Sequence, residues 1–299
     1  GTTVPGRYLG GRPISLPEIK KLGTKVYYPT KVLGGPITLV EDEMEGFDFL
    51  TRETAALDIY SRLQEININK LRSSAADHIA NWAQLGAELT QQHPSYPNLV
   101  IELETFRGCP REKHCAFCSE RLKKVHYWRS PQQIIEEVKS LSKHGNHHYR
   151  LGCQTDILSY ACNEQGILQP KLMEELYAGI RNADPELKVL HLDNINPATL
   201  INQPKAGREI IEIITKYNTE GDTAAFGLES ADPKVLKKNN IEADPEMALK
   251  AIKLLNEIGG KRVNGVPKLL PGINFLHGLI GERPETFEYN YNFLKEIRS

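Results

Sequence analysis

One stretch of the sequence decides the fold and the chemistry: Cys109-Pro110-Arg111-Glu112-Lys113-His114-Cys115-Ala116-Phe117-Cys118. It follows Leu99-Val100-Ile101-Glu102-Leu103, a mostly apolar run that has the character of a buried strand. Three of the five cysteines of the chain lie in this stretch, in the spacing C-x5-C-x2-C, and an aromatic residue precedes the last of them. The pattern predicts a metal or redox site at the end of a strand.

The composition is that of an ordinary globular protein. The 299 residues suffice for one large α/β domain or for a moderate domain with a smaller one, and 40% of them are hydrophobic. A formal net charge of -1 gives no overall field that would recruit nucleic acid or an anionic membrane. No apolar run approaches the roughly 20 residues of a membrane helix, and the first residues lack a signal-peptide layout. We therefore expect a cytoplasmic protein with no membrane partner, whose cysteines serve metal or redox chemistry rather than disulfides.

Residues 1–96 are predicted to form a small N-terminal α/β cap. Its predicted elements are a helix from Ser15 to Leu22, strands Lys25–Tyr28 and Lys31–Leu33, a helix within residues 51–65 and a helix beginning at Ser73-Ser74. The segment His93-Pro94-Ser95-Tyr96-Pro97 breaks the last helix, because the residue before a proline is disfavoured in helical conformation. We place the domain boundary there.

Residues 97–299 alternate between buried strands and amphipathic helices. The predicted strands are Leu99–Leu103, His148–Leu151, Val189–Leu192, Thr223–Leu228 and Ile273–Leu279, and helices begin near Ser130-Pro131, Pro170, Arg208, Asp244 and Pro284. This alternation implies parallel strands with right-handed crossovers, in a (β/α) barrel or an open doubly wound sheet. A closed barrel needs more strands, so we predict a partial (β/α) barrel or a piece of a longer protein. In either case the carboxyl ends of the strands converge on the site.

Three thiolates from one loop can bind three irons of a [4Fe–4S] cluster and leave the fourth iron open to an amine and a carboxylate. This arrangement resembles the radical S-adenosylmethionine superfamily. The resemblance implies that Cys109, Cys115 and Cys118 hold the cluster, and that S-adenosylmethionine binds its open iron. One electron then breaks the C5′–S bond, and a 5′-deoxyadenosyl radical abstracts a substrate hydrogen. Most members have three residues in the first gap, whereas this chain has five.

The resemblance covers residues 98–299, because each later strand also ends in a family-like motif. The motifs are Gly152-Cys153-Gln154, Asp193-Asn194-Ile195-Asn196-Pro197, Gly227-Leu228-Glu229-Ser230 and Gly278-Leu279-Ile280-Gly281-Glu282. The Leu-Glu-Ser sequence resembles the methylthiotransferase-like and cobalamin-associated branches. By this resemblance, the residues expected to contact S-adenosylmethionine are Phe117, Gly152, Gln154, Asn194, Glu229, Ser230 and Gly281.

Several alternatives remain open from the residues. The three cysteines could instead belong to a structural zinc site in an RNA-binding module without redox activity. Cys153 could be a ligand, a covalent partner or a buried filler, and we favour the filler. Glu229 could merely cap a helix from Pro233 to Lys238. Catalytic residues are otherwise unassigned. Cys153 and His277 are the candidates, and His277 is the one considered for substrate contact or proton transfer.

Two further expectations concern cofactors and partners. A strand running into Gly34-Gly35-Pro36 resembles cobalamin-binding domains, but the chain has no Asp-x-His-x-x-Gly motif, so we predict a degenerate cap that binds no cobalamin. The run from Arg121 to Arg129 combines basic and aromatic residues. It is either a solvated loop or a surface that binds the phosphate backbone of an RNA. The substrate is a small molecule or an RNA, and reductive cleavage implies an electron-donor protein.

Overall fold

The computed structural model describes residues 14–27, 30–39, 41, 43–52, 54–123 and 125–298. These residues belong to two compact units. One contains the described residues of Gly1–Ala75 and Ser119–His126, and the other contains those of Ala76–Cys118 and Tyr127–Ser299. The division into a cap of residues 1–96 and a barrel of residues 97–299 stays a prediction.

The first unit contains short elements: α1 (Leu16–Lys25), β1 (Val32–Leu33), β2 (Phe49–Leu50), α2 (Ala55–Leu63) and α3 (Ile68–Arg72). Ser15 starts α1 as expected, because its backbone N–H donates to Glu18 Oε2 at 2.8 Å. The predicted strand from Lys25 is wrong. Val26 N–H donates to Leu22 O at 3.0 Å, so the helical hydrogen bonding continues where a strand was expected, and Tyr28 lies outside the described residues.

The second unit begins with α4 (Ala75–Leu85), whose first residue, Ala75, is assigned to the first unit. It continues with the alternation of strands and helices predicted from the sequence. Its further elements are β3 (Ile101–Glu104), β4 (Phe106–Arg107), β5 (Tyr127–Trp128), α5 (Pro131–Lys143), β6 (His148–Gly152), α6 (Ile157–Tyr160), α7 (Pro170–Ala183), β7 (Val189–Leu192), β8 (Asn194–Ile195), α8 (Pro197–Asn202), α9 (Pro204–Tyr217), β9 (Asp222–Glu229), α10 (Pro233–Lys238), α11 (Pro245–Gly259), β10 (Arg262–Val263), β11 (Val266–Pro267), β12 (Leu269–Phe275) and α12 (Pro284–Arg298). Most of these helices begin with proline, whose missing N–H costs nothing in the first turn.

The strand order distinguishes a barrel from a doubly wound sheet. Strand β6 pairs in parallel with β3 and β7, and β9 pairs in parallel with β8 and β12. Only Asp193 separates β7 from β8. Its N–H donates to Leu151 O at 3.1 Å and its carbonyl accepts from Ala225 N–H at 2.9 Å, so it joins the two sheets. The parallel strands thus follow one another in chain order, as in a barrel, without the reversal of a doubly wound sheet.

The last strand lies four residues earlier than predicted. Leu269 pairs with Asp222, and β12 ends at Phe275, whereas the prediction placed a strand over Ile273–Leu279. The apolar run beyond Phe275 turns instead, because Gly278 and Gly281 both adopt φ +82°, which a strand does not allow.

The two faces of the parallel sheet differ in polarity. The outer face is apolar and buried under the helices, with Leu103, Tyr149, Leu151, Leu190, Ala224, Phe226 and Leu228 fully buried. The alternating residues on the opposite face include Glu102, Glu104, Arg150, His191 and Glu229, which are half-buried or exposed. The helical segments of the described residues include none that is long and apolar enough to cross a membrane.

Candidate active site

The inner face of the sheet carries a row of charged side chains. Strand pairing places Glu102 opposite Arg150 and Arg150 opposite His191. Arg150 Nη1 donates to Glu102 Oε1 at 2.9 Å, and its Nη2 forms an ion pair with Asp193. These side chains point away from the helices, so the inner face offers a polar surface to a ligand.

The three cysteines of the opening stretch lie in a loop after β3 and β4. Gly108, at φ +94°, turns the chain into this loop. Cys109 and Cys115 are each 6% exposed, and Cys118 is half-buried. Cys118 N–H donates to Cys115 O at 3.1 Å, which closes the C-x2-C spacing into one turn. This turn holds two of the thiols on a short, ordered piece of backbone.

Asn239 holds the cysteine loop close to the last turn of the sheet. Its carbonyl accepts from Ala116 N–H at 2.9 Å. Its side-chain Nδ2 donates to Ile280 O at 2.9 Å, and its Oδ1 accepts from Ile280 N–H at 3.2 Å. Asn239 is itself 1% exposed. The residue therefore ties Gly281, which follows Ile280, to the stretch that contains the cysteines.

Arg111 and Glu229 are the charged neighbours of the thiols. Burial raises the pKa of Cys115, Arg111 opposes that rise, and Cys118, Cys109 and Glu229 add to it. The negative charges of Cys115, Cys109 and Glu242 in turn raise the pKa of Arg111, although its burial opposes that rise. The three cysteines, one guanidinium and one carboxyl thus form a single electrostatic cluster.

Glu229 owes its position to an irregular strand end. It adopts φ +63°, and the pairing of β12 with β9 skips one residue between Gly227 and Glu229. A Cβ on Gly227 would lie 2.8 Å from Glu229 Oε1, so a side chain there would push the carboxyl group from its present position. Burial raises the pKa of Glu229 to about 7, and Arg111 opposes the rise. Glu229 does not cap α10, because Asp232 accepts from Lys234 N–H.

Cys153 is exposed, so the expectation of a buried filler is wrong. The residue adopts φ +62°, which turns the chain after β6 and directs the thiol to the surface. Its Sγ donates to Glu102 Oε2 at 3.2 Å, and partial desolvation and this bond raise the pKa of Cys153 to about 12. Beside it, a Cβ on Gly152 would lie 2.7 Å from Glu102 Oε1, so Glu102 occupies the space over both residues.

The remaining candidates lie at or after the carboxyl ends of the parallel strands. Phe117 is 42% exposed, and Asn194 is half-buried in β8. Gln154 is buried and donates to Leu151 O at 2.9 Å. The Ser230 hydroxyl accepts from Asp232 N–H, so it helps to shape the turn. His277 is exposed, stacks on a phenylalanine and contacts Glu282 at 3.2 Å. Their roles with S-adenosylmethionine stay predictions.

Sequence reasoning assigned no role to Arg111, Glu102 or Arg150, and it named Asp193 only within the motif that follows the third strand. The last three occupy or follow strands and could have been found from the alternation of inner and outer positions. Arg111 gives no comparable signal, because nothing in the pattern of its loop indicates which of the charged residues turns inward.

A cavity of about 640 Å³ adjoins the cysteine loop. Its walls come from segments that follow four different strands of the sheet: Pro110, Arg111, Trp128, Ser159, Cys162, Asn163, Glu164, Gly166, Thr199, Asn202, Gln203 and Glu242. Such a volume suits a small-molecule ligand, and the carboxyl end of a barrel is where ligands bind.

The basic run after the cysteines is partly used within the protein. Lys123 pairs with Glu120 at 2.5 Å, and Arg129 is buried against Glu137. Tyr127 is buried and donates to Glu104. Lys124 lies outside the described residues. Because Lys123 and Arg129 are paired within the protein, they are less available to an RNA phosphate backbone. An RNA contact at this run stays a prediction.

The cysteine loop suits a cluster better than a single ion. Within the described ranges, no three His, Cys, Asp or Glu side chains are arranged to hold one metal ion. A [4Fe–4S] cluster distributes its thiolates over different irons, so its ligands need not converge on one point. Two buried thiols and a third beside them, next to a cationic side chain, fit that donor requirement. The zinc-bound RNA-binding alternative finds no support in this part of the chain.

Comparison with known proteins identifies the family. The model of the Radical SAM superfamily matches residues 103–294, more than half of the chain. An uncharacterised protein of Archaeoglobus fulgidus is 40% identical over 99% of this chain and 55% of its own length. One of Methanocaldococcus jannaschii is 39% identical over 99% of this chain and 59% of its own length. The chain thus spans little more than half the length of these relatives.

A solved structure agrees on the fold. The cobalamin-dependent S-adenosylmethionine radical enzyme OxsB, with aqua-cobalamin and S-adenosylmethionine bound, superposes with a TM-score of 0.50 and 17% identity, over 65% of this chain and 26% of OxsB. At this identity the likeness concerns the fold alone. Family membership implies a [4Fe–4S] cluster and S-adenosylmethionine as cofactors. The chain belongs to the radical SAM superfamily of enzymes.

Proposed function

We propose that Cys109, Cys115 and Cys118 each bind one iron of a [4Fe–4S] cluster and that the chain uses it to cleave S-adenosylmethionine reductively. The observation that carries this proposal is the position of the cysteine loop, directly after the first strand of a sheet whose parallel strands follow in chain order. When bound, the cluster supplies one electron to the sulfonium, which gives a 5′-deoxyadenosyl radical that removes hydrogen from the substrate.

The chain's own residues position the cofactor and the substrate. Asn239 keeps the turn at Gly281 beside the cysteine loop, where the turn's backbone can meet adenine. Glu229, with a pKa of about 7, can accept hydrogen bonds from an amine or a ribose hydroxyl near the thiols. The charged row at Arg150 faces the space inside the sheet that a substrate would enter.

The cavity beside Arg111 is the proposed route for a small-molecule substrate, because its walls come from loops at the carboxyl end of the sheet. The electron reaches the cluster from a donor protein. We keep the prediction that this chain binds no cobalamin, since it lacks the Asp-x-His-x-x-Gly motif. OxsB binds cobalamin, but at 17% identity its cofactor does not transfer to this chain.

Anaerobic reconstitution with iron and sulfide, followed by dithionite and S-adenosylmethionine, tests the proposal. We expect 5′-deoxyadenosine and methionine in equal amounts from the reconstituted chain. The Cys118→Ala variant should give neither product, whereas Lys113→Met, which changes an exposed residue of the same loop, should match the parent chain. A brown reconstituted chain that yields no 5′-deoxyadenosine would contradict the proposal. Added hydroxocobalamin should not copurify with the chain.

A further inference from the structure

The cavity beside the cysteine loop has a flat aromatic ring in its wall. Its volume is about 640 Å³, and its lining residues all belong to the second compact unit. The ring is that of Trp128, which is 42% exposed. One face of the indole stacks on Phe106, with ring centroids 5.1 Å apart and 6° between the planes. Because Phe106 is fully buried and pairs with Trp128 across β4 and β5, the indole is held in place and leaves its opposite face to a ligand.

A second wall is the loop that follows α6, and hydrogen bonds hold it in shape. Asn163 Oδ1 accepts from two backbone N–H groups of the loop, at 2.9 and 3.0 Å. Gln203 Oε1 accepts from Leu168 N–H at 3.0 Å, and its Nε2 donates to Gly166 O at 2.8 Å. Glu164 lies within this loop, so its carboxylate is carried by an ordered piece of backbone.

The charges in the cavity wall do not balance. Glu164 and Glu242 both line the cavity and are exposed, and neither lies within ion-pair distance of a cation among the residues that the structure describes. Arg111 is the one cation among the described lining residues, so two carboxylates stand against one guanidinium. A concave wall with excess negative charge raises the local concentration of cations and disfavours anions.

The hydrogen-bonding groups of the wall point to the same kind of ligand. Asp156 is 4% exposed and joins two wall segments, because its Oδ1 accepts from Leu158 N–H at 3.1 Å and from Asn196 N–H at 3.0 Å. Its Oδ2 accepts from the hydroxyl of Ser159 at 3.0 Å, and Ser159 lines the cavity. Since the hydroxyl proton is directed at Asp156, Ser159 can only accept a hydrogen bond from a ligand. An ammonium group supplies such donors.

We propose that this cavity binds the substrate, and that the substrate is a small molecule with a positively charged amine and a flat ring. The ring stacks on Trp128, and the amine is directed to Glu164 and Glu242. The assignment of the ligand as the substrate rests on the proposed function, whereas binding in the cavity requires no cluster. The inference deepens the proposed function, because it names the charge and the shape that the substrate must have.

Calorimetric titration of the reconstituted chain under anaerobic conditions, without S-adenosylmethionine, tests the inference with four probes of similar size. Phenethylamine, phenethyl alcohol and phenylacetate share a phenyl ring and carry a positive, no and a negative charge. Cyclohexylethylamine keeps the ammonium group but has no flat ring. The series therefore separates the contribution of charge from that of stacking without any change to the protein.

We expect phenethylamine to bind about tenfold more tightly than phenylacetate, and about threefold more tightly than phenethyl alcohol or cyclohexylethylamine. The double variant Glu164→Gln with Glu242→Gln should bind phenethylamine no better than phenethyl alcohol. Glu186→Gln is the matched control, because it removes an exposed carboxylate that precedes β7, and it should keep the preference of the parent. Trp128→Leu should weaken the three phenyl probes and leave cyclohexylethylamine unchanged.

Four results would overturn the inference. They are equal or tighter binding of phenylacetate by the parent, equal binding of the two amines by the parent, a preference for phenethylamine that survives in the double variant, and no binding of any probe. The comparison of the two amines uses the parent chain alone, so it decides the contribution of the ring even where Trp128→Leu fails to fold.

These outcomes are distinct from the failure of the proposed function. If the parent chain yields no 5′-deoxyadenosine but selects phenethylamine, the proposed function fails, and the preference of the cavity for an aromatic amine stands. If the chain cleaves S-adenosylmethionine and binds the probes without regard to charge, only the inference fails.

Discussion

The guanidinium of Arg129 and the carboxylate of Glu137 form an ion pair of 2.6 Å, with side chains that are 2% and 11% exposed. Arg129 also donates to the carbonyls of Glu104, at 3.1 Å, and Gln133, at 3.3 Å. The pair thus connects α5 to the end of β3, immediately before the chain enters the cysteine loop.

Replacing Arg129 by methionine should strongly destabilise the protein. Removing one partner of a buried ion pair leaves the other charge unpaired, which costs roughly 3–5 kcal/mol. Burial already raises the pKa of Glu137, and Arg129 opposes that rise. Urea unfolding of the apoprotein measures the effect. The double variant Arg129→Met with Glu137→Gln should recover part of the loss, and equal stability of the single and double variants would contradict this explanation.

Gly259 lets α11 pack closely on β12. A Cβ at Gly259 would collide with the backbone carbonyl of Leu269, which cannot move without disturbing the sheet. Alanine normally improves a helix, but here we expect Gly259→Ala to lower the free energy of unfolding by about 1–3 kcal/mol through overpacking.

Gly86→Ala is the control for this prediction. A Cβ there would meet only Leu89 Cδ1, at 4.0 Å, which is ordinary contact. Its unfolding midpoint in urea should stay within error of the parent or rise slightly. Equal changes in the unfolding midpoint of the two alanine variants would contradict the explanation that a close contact with Leu269 excludes a side chain at Gly259.

Glu229 should make the stability of the apoprotein depend on pH. Its folded pKa of about 7 lies above the ordinary value of 4.5, so the folded state holds a proton that the unfolded state has lost. Stability from this group is therefore full below the unfolded pKa and falls as the pH rises through the folded pKa. Glu229→Gln removes the titration, so its stability relative to the parent should increase between about pH 5 and pH 8.

Thermal melting of both chains, reduced and free of metal, gives that difference directly. The comparison cancels every titratable group that the two chains share. A difference in stability that stays constant over this range would show that Glu229 titrates normally in the folded protein.

The sequence predicted the parallel strands and the loop that carries the cysteines, but not the position of the last strand or the orientation of several site residues. Strand–helix alternation and the motif Cys109–Cys118 predicted parallel strands with a cluster loop after the first. The last strand was misplaced because its apolar run continues through Gly278 and Gly281, whose positive φ only the fold reveals. The sequence could not reveal that Cys153 is exposed beside Glu102 on the inner face of the sheet, because its orientation depends on the positive φ at this position.

The position of Arg111 in the site could not be predicted from the sequence either. Four polar residues of its loop are compatible with solvent, and only the packed loop selects the one that faces the thiols. The ion pairs of Arg150 were hidden in a similar way, because strand register decides which residues of neighbouring strands face each other.

Iron and acid-labile sulfide content after anaerobic reconstitution tests the central claim most directly. We predict about four irons and four sulfides per chain, with a brown chromophore that Cys153→Ala keeps and the triple variant Cys109→Ala, Cys115→Ala, Cys118→Ala loses. Tightly bound zinc in the parent chain, without sulfide or colour, would contradict the account, as would a triple variant that retains its full iron content.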